Sequence, residues 1–191
     1  TAARSRSQGR YFAPFFSPAG YGYRFDALAN VLASLLDVAD DDQREKVDRF
    51  IEQEVVRDEV MLLPAFHPVI LPEDADWEDL QMTFSYSFKN RPYEYHNGGL
   101  WPMVTGFYVA DLAARGHTEL AGQYLEGVHA ANGRQYEDAS WGFPEFLHGK
   151  EHTPGGTPKL GWSAAAAVIG QHALNGNVLF SCLGDAEERS Q

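Results

Sequence analysis

The feature that most limits the fold of this chain is a segment with no polar face. From Leu100 to Arg115 the residues (LWPMVTGFYVADLAAR) read as a helix that is apolar almost all round. Such a helix must be enclosed by other elements. It stops at Gly116. The next segment, from Thr118 to about Ala131, is amphipathic through Leu120, Ala121, Tyr124, Leu125 and Val128, as expected of a helix with one face on a core. A third stretch, WSAAAAVIGQHAL from Trp162, is again small and apolar on every side and predicts burial. Upstream, Phe25, Leu28, Ala29, Leu32, Leu35 and Leu36 recur at helical spacing. Asp40 to Asp42 then supply an acidic start for a helix striped by Val47, Phe50, Ile51 and Val55. Helical hairpins in two concentric layers produce this order of buried helix, surface helix, long loop, buried helix. No strand pattern is strong enough to support a sheet, so the expected class is all-α.

The chain has 191 residues, 44% of them hydrophobic and 13% aromatic, enough to bury a core. Its 15 basic and 27 acidic side chains leave a formal net charge of −12. A surface that negative repels phosphate backbones and anionic lipid, so neither nucleic acid nor membrane is an expected partner. Cys182 is the one cysteine, which excludes an internal disulfide framework and any multi-cysteine metal site. No apolar run reaches the roughly 18 to 20 residues of a membrane span, and no signal peptide is visible, so the expected compartment is the cytoplasm. Residues 1–10 are polar and basic and are expected to be disordered. The same holds for the polar tail, residues 184–191.

Two loops concentrate chemistry. The first, KNRPYEYHNGGLWP from Lys89 to Pro102, sets Tyr93, Glu94, Tyr95, His96, Asn97 and Trp101 around the start of the enclosed helix. It closes a stretch rich in proline from residue 58 to 98, and connections of that length are usually functional. The second, from Ala139 to Ser163, places Glu145 between Pro144 and Phe146, with Trp141 and Trp162 nearby. Flat rings cover the apolar faces of pyranoses, while carboxylates and amides satisfy the hydroxyls, so this mixture suits a sugar pocket. Cleaving a glycosidic bond further needs two carboxyl groups, one to protonate the leaving oxygen and one to activate water or attack. Other readings of the same residues stay open. His96 and Asn97 fit either ligand contact or capping of a helix beginning at Gly99. Tyr93, Tyr95 and Trp101 fit a core as well as a stacking platform. Asp26 reads as a structural hydrogen-bond partner at a helix start. His148, Glu151 and His152 match no established metal-ligand spacing, and Ser163 has no nearby His/Asp arrangement for nucleophilic catalysis.

The segments RFDALANVLASLLDVAD, KNRPYEYHNGGLWP and WGFPEFLHG resemble the C-terminal half of the neutral/alkaline invertases. Those are glycoside hydrolases with an (α/α)6 barrel, related to trehalases and mannosylglycerate hydrolases. The likeness runs from about Arg24 to Leu174. It implies that residues 11–183 form about half of an (α/α)6 toroid with long active-site loops. It also implies hydrolysis of an O-glycosidic bond in an α-glucoside such as sucrose, with inversion and with neither metal nor cofactor. A Trp-Pro-Glu-Tyr-like string of the family maps onto Phe143-Pro144-Glu145-Phe146, which makes Glu145 the catalytic general base. Tyr95, His96, Asn97, Trp101, Trp141 and Trp162 would then shape the sugar subsite. The family's general acid is an aspartate of the first half, outside this chain. The chain is therefore expected to be inactive alone and to need a missing N-terminal half or self-association. One departure bears on specificity. Where the invertases carry Gln-Thr-Trp-Ser, with the glutamine holding the sugar, this chain has Leu160-Gly161-Trp162-Ser163. That opens trehalose, glucosylglycerate or a glycogen-derived oligosaccharide as substrate. A non-catalytic carbohydrate-binding or scaffold half-toroid is the alternative from another class.

Overall fold

A computed structural model describes residues 9–14, 16–17, 20–56, 60–83 and 86–177. Most of the leading polar segment, Cys182 and the tail after Gly184 lie outside the described residues. Helix α1 spans Ala27–Leu35, α2 Asp41–Phe50, α3 Trp77–Met82, α4 Pro102–Ala114, α5 Thr118–Asn132 and α6 Gly161–Leu174. The chain is thus all-α in class. Helix α2 runs on into a π-helical turn, Ile51–Val55. The short α3 falls inside the proline-rich stretch, where no periodicity announced it.

Local chemistry explains the starts and stops. Asp26 caps α1 by accepting from Ala29 N at 3.0 Å. Asp40 and Gln43 form a reciprocal capping box at α2, and Asp41 and Asp42 follow in its first turn, where the helix dipole favours negative charge. Helix α4 begins with Pro102, whose fixed φ and missing N–H suit a first turn.

Packing centres on α4, which touches α1, α5 and α6, while α5 also packs on α6. Val104, Thr105, Tyr108, Val109, Asp111 and Leu112 of α4 are all buried, as its uniformly apolar sequence requires. Helix α5 turns Ala121, Tyr124, Leu125, Val128 and Ala131 inward. At Gly106 of α4 a Cβ would stand 2.6 Å from Ala166 Cβ, so that glycine lets α4 and α6 lie nearly backbone to backbone. Helix α6 departs from expectation. It buries only Ser163, Ala166 and Gly170, and leaves Trp162 and Val168 59% and 58% exposed. Its small residues fit it closely to α4 on one side, but nothing among the described residues covers the other.

The far end of α4 carries a buried charge network. Arg115 forks onto Asp48 at 2.7 and 3.1 Å and bonds Asp111 at 2.7 and 3.2 Å. Ser34 Oγ donates to Asp111 at 2.7 Å and Tyr108 Oη to Asp48 at 2.9 Å. Three helices are pinned through these groups: α1 by Ser34, α2 by Asp48, α4 by the rest. Burial raises the Asp111 carboxyl above its ordinary range, opposed by Arg115.

Among the described residues the loops form three two-residue ladders. Strand β1 (Phe16–Ser17) pairs with β2 (Gly20–Tyr21), β3 (Phe25–Asp26) with β4 (Phe66–His67), and β5 (Phe146–Leu147) with β6 (Pro154–Gly155). Single bridges join Pro64 to Leu100 and Leu100 to Leu147. These runs are too short to show alternation, which is why no strand was legible in the sequence. The β3–β4 ladder and the two bridges bring together segments distant in sequence, such as Leu100 and Leu147, just before α4.

Candidate active site

The loop before α4 is fixed by its amides. Asn97 is fully buried; its side chain accepts from Ile70 N at 2.7 Å and donates to the carbonyls of Ile70 and Asn90 at 2.8 and 3.1 Å. Asn90 in turn accepts from His96 N at 3.2 Å. Within this clamp Tyr93 and Tyr95 hold φ values of +68° and +46°. Such left-handed conformations cost non-glycine residues on the order of 1–3 kcal/mol, and the clamp supplies the compensation. Neither sequence expectation for Asn97 holds. With no exposed surface it cannot touch a ligand, and it does not cap α4, which begins at Pro102 with Trp101 as an N-cap that makes no side-chain bond. His96 does not cap it either.

A cleft of about 400 Å³ opens above the starts of α1, α4 and α6, lined by Asp26, Leu28, Ala65, Phe66, Tyr95, His96, Trp101, Met103, Val104 and Trp162. Tyr95 stacks on His96 with ring centres 4.2 Å apart, and Trp101 lies 5.4 Å from His96 and 6.1 Å from Phe146. Trp101 is 3% exposed and its Nε1 donates to Tyr95 O at 3.0 Å, so it is chiefly wall. Trp162 presents most of its ring at the rim. Partial burial lowers the His96 pKa, opposed by the carboxylates of Glu145 and Asp26. The imidazole is then neutral near pH 7, with one nitrogen to donate and one to accept. Burial, and secondarily Glu145, raise the Tyr95 phenol.

Glu145 is held beside this cleft. Ser163, in the first turn of α6, donates its hydroxyl to Pro144 O at 2.6 Å, and Asn132 at the end of α5 donates to Ser163 O at 2.8 Å. The Ser163 hydroxyl is thereby a peg for the loop. Phe143 N bonds Asn132 O at 3.2 Å, and Leu160 N bonds Phe143 O at 2.9 Å. Leu147 and Leu100 exchange both backbone bonds at 2.8 Å, tying the Glu145 loop to the Tyr95–Trp101 loop. The half-buried carboxylate accepts from Thr157 N through Oε2 at 2.9 Å. Gly156, at φ +75°, makes this approach possible, since a Cβ there would stand 2.5 Å from Oε2. Glu145 does not itself line the 400 Å³ space; its charge bears on two of the walls, Tyr95 and His96, and on Tyr136.

The structure therefore brings Tyr95, His96, Trp101 and Trp162 to one cleft with Glu145 adjoining, and leaves two expected members out. Asn97 acts from behind. Trp141, though 57% exposed, packs 6.0 Å from Phe143 beside Gly133 and does not line the cleft, because the Arg134–Gly142 turn carries it outward. Sequence reasoning missed the cleft role of Asp26, which both caps α1 and lines the space. It also missed Phe66, which only the β3–β4 pairing brings opposite Asp26. Thr157 was beyond reach in principle, since its contribution is a backbone N–H. His148 Nδ1 accepts from Lys150 N and Glu151 N, closing a turn. Among the described residues no group of three or more His, Cys, Asp or Glu side chains is placed to hold a metal ion.

In chemical terms the arrangement offers flat rings for a pyranose face, a neutral imidazole and a carboxylate for hydroxyls, and a second carboxylate with one oxygen anchored. The chain matches the family model described as alkaline and neutral invertase over residues 5–175. It is 30% identical over 146 residues to the probable alkaline/neutral invertase D of Arabidopsis thaliana, covering 75% of this chain and 25% of that protein. The figures for cytosolic invertase 1 of Oryza sativa subsp. japonica are 30% over 146 residues, 75% and 24%. For alkaline/neutral invertase C, mitochondrial, of A. thaliana they are 30% over 146 residues, 75% and 20%. The chain thus spans about a quarter of the length of the curated relatives it matches.

Proposed function

The chain belongs to the alkaline and neutral invertase family, and from that premise we propose that it supplies the general base and part of the sugar subsite for hydrolysis of an α-glucoside such as sucrose, with inversion. The observation that carries this reading is the placement of Glu145. Its Oε2 is fixed by Thr157 N beside an aromatic cleft, and Oε1 accepts no hydrogen bond among the described residues. A carboxylate held by one oxygen keeps the other aimed, and in an inverting mechanism that oxygen takes the proton of the attacking water. Tyr95 and His96 form one wall, Trp162 the rim platform, and Asp26 meets hydroxyls from the α1 side. Trp101 and Asn97 hold the wall in place.

The general acid comes from a complementary helical half, with which this chain closes an (α/α)6 toroid. The exposed face of α6 around Val168 is the surface such a half would cover, and an apolar patch there otherwise favours self-association. Leu160, at the start of α6, leaves the glucoside open, so trehalose, glucosylglycerate and glycogen-derived oligosaccharides stand beside sucrose. No helix among the described residues is long and apolar enough to cross a membrane. The named relatives include a cytosolic and a mitochondrial form, so the cytoplasmic placement is a proposal that cell fractionation tests.

The decisive assay presents that sugar panel to this chain joined with its complementary half and follows the first product by NMR. We expect β-glucose to form first from one of the α-glucosides. α-Glucose formed first with no β-glucose beside it rejects inversion (inverting cleavage of trehalose releases one of each), and binding without release of glucose from any of them favours a carbohydrate-binding role.

A further inference from the structure

Among the described residues no side chain holds the carboxylate of Glu145. Its partner is a backbone N–H in the turn Gly155–Thr157, and the aim of that N–H depends on what fixes the turn. One end is tied by the β5–β6 ladder, where Phe146 faces Gly155. The other is tied by a single side chain: Tyr136 Oη donates to Gly156 O at 2.6 Å. That carbonyl belongs to the same peptide unit as the Thr157 N–H, because the C=O of one residue and the N–H of the next are rigidly coplanar. A bond to one end of this plane therefore sets the direction of the other.

Tyr136 is itself well anchored. It exchanges backbone bonds with Ala139 at 3.0 and 3.1 Å, and a Cβ at Gly142 would stand 2.5 Å from Tyr136 Cβ, so the turn closes directly over it. Burial, then Glu137 and Glu145, raise its phenol pKa, so the hydroxyl keeps its proton and stays a donor across the working pH range. The peptide of Gly156 cannot be replaced by a bulkier unit, since its positive φ and its contact with Glu145 both require glycine.

We propose that Tyr136 is a positioning residue for the catalytic base: by holding the Gly156–Thr157 peptide plane, it aims the N–H that fixes Oε2 of Glu145. This rests on the reading of Glu145 as base but concerns a residue that touches neither substrate nor reacting water.

The test uses this chain joined with its complementary half and compares Tyr136→Phe and Glu145→Gln, each checked for folding by circular dichroism. Tyr136→Phe removes only the donor. We expect kcat to fall about tenfold with KM changed by less than about twofold, the pattern of an interaction that matters in the transition state and not in sugar binding. An unchanged kcat in Tyr136→Phe overturns the proposal, as does a loss confined to KM. If Glu145→Gln is inactive while Tyr136→Phe turns over normally, only this inference fails. If Glu145→Gln itself turns over, the general-base reading falls with it.

Discussion

The two ends of α4 solve opposite problems with the same residue types. At the far end, Asp48, Asp111, Arg115, Ser34 and Tyr108 satisfy one another completely, with Asp111 nearly inaccessible. At the near end, Asp26 and His96 line a cleft with Glu145 beside it, and acceptor capacity is left over. The backbone differs in step. Among the described non-glycine residues with positive φ, Tyr93, Tyr95, Glu137, Phe143, His152 and Lys159 lie in loops, and Asp37 follows the far end of α1. Strained backbone thus gathers in the loops, and relaxed geometry is kept where the helices are pinned. A carboxylate buried with all its bonds made stabilises the fold, whereas one held by a single N–H is available for chemistry.

That contrast breaks first at Arg115. Arg115→Ala leaves Asp48 and Asp111 buried without their cation, a loss of about 3–5 kcal/mol. Urea titration checks it, and activity of the protein that stays folded should be normal. Gly156→Ala acts at the other end. Positive φ and the approach to Oε2 together cost about 1–3 kcal/mol, but the larger effect falls on kcat, because Glu145 must move. A variant that loses stability and keeps its turnover would erase the distinction between the ends. Trp162→Ala sharpens it further. The ring is mostly exposed, so stability should change by no more than about 0.5 kcal/mol, while sugar affinity measured by calorimetry weakens by about 1 kcal/mol.

The smallest effect concerns His96. Its folded pKa lies below the ordinary value, so the folded state resists protonation more than the unfolded chain does. Stability is therefore full above about pH 6.5 and declines as the pH falls through that value. Denaturation curves at about pH 8 and about pH 5.5 should show a larger acid loss for the parent than for His96→Gln. Equal losses in the two proteins would remove the partly desolvated imidazole from the account.

How much of this was legible beforehand follows the same line. Helices α1, α2, α4 and α5 were readable because their apolar spacing and caps are local signals. Helix α6 was readable as a helix but not as an edge element, since small apolar residues look alike whether they face α4 or nothing. At the site, Tyr95, His96, Trp101, Trp162 and Glu145 stood out because rings and carboxylates cluster in two loops, and the fold brings the first four to one cleft with Glu145 beside it. Asn97 and Trp141 were misjudged for one reason: residue type does not say which way a loop points its side chains. Asp26 was half understood, as a cap without a view of the cleft. The Thr157 N–H and the Tyr136 bond behind it leave no trace in composition, because one is backbone and the other joins residues through a turn formed only on folding.

The most direct measurement is the turnover and thermal stability of Glu145→Gln in this chain joined with its complementary half. The account predicts a fall in kcat between about 10²- and 10⁴-fold, with melting behaviour unchanged beyond experimental error. Near-parental turnover, or inactivity traced to unfolding, would contradict it.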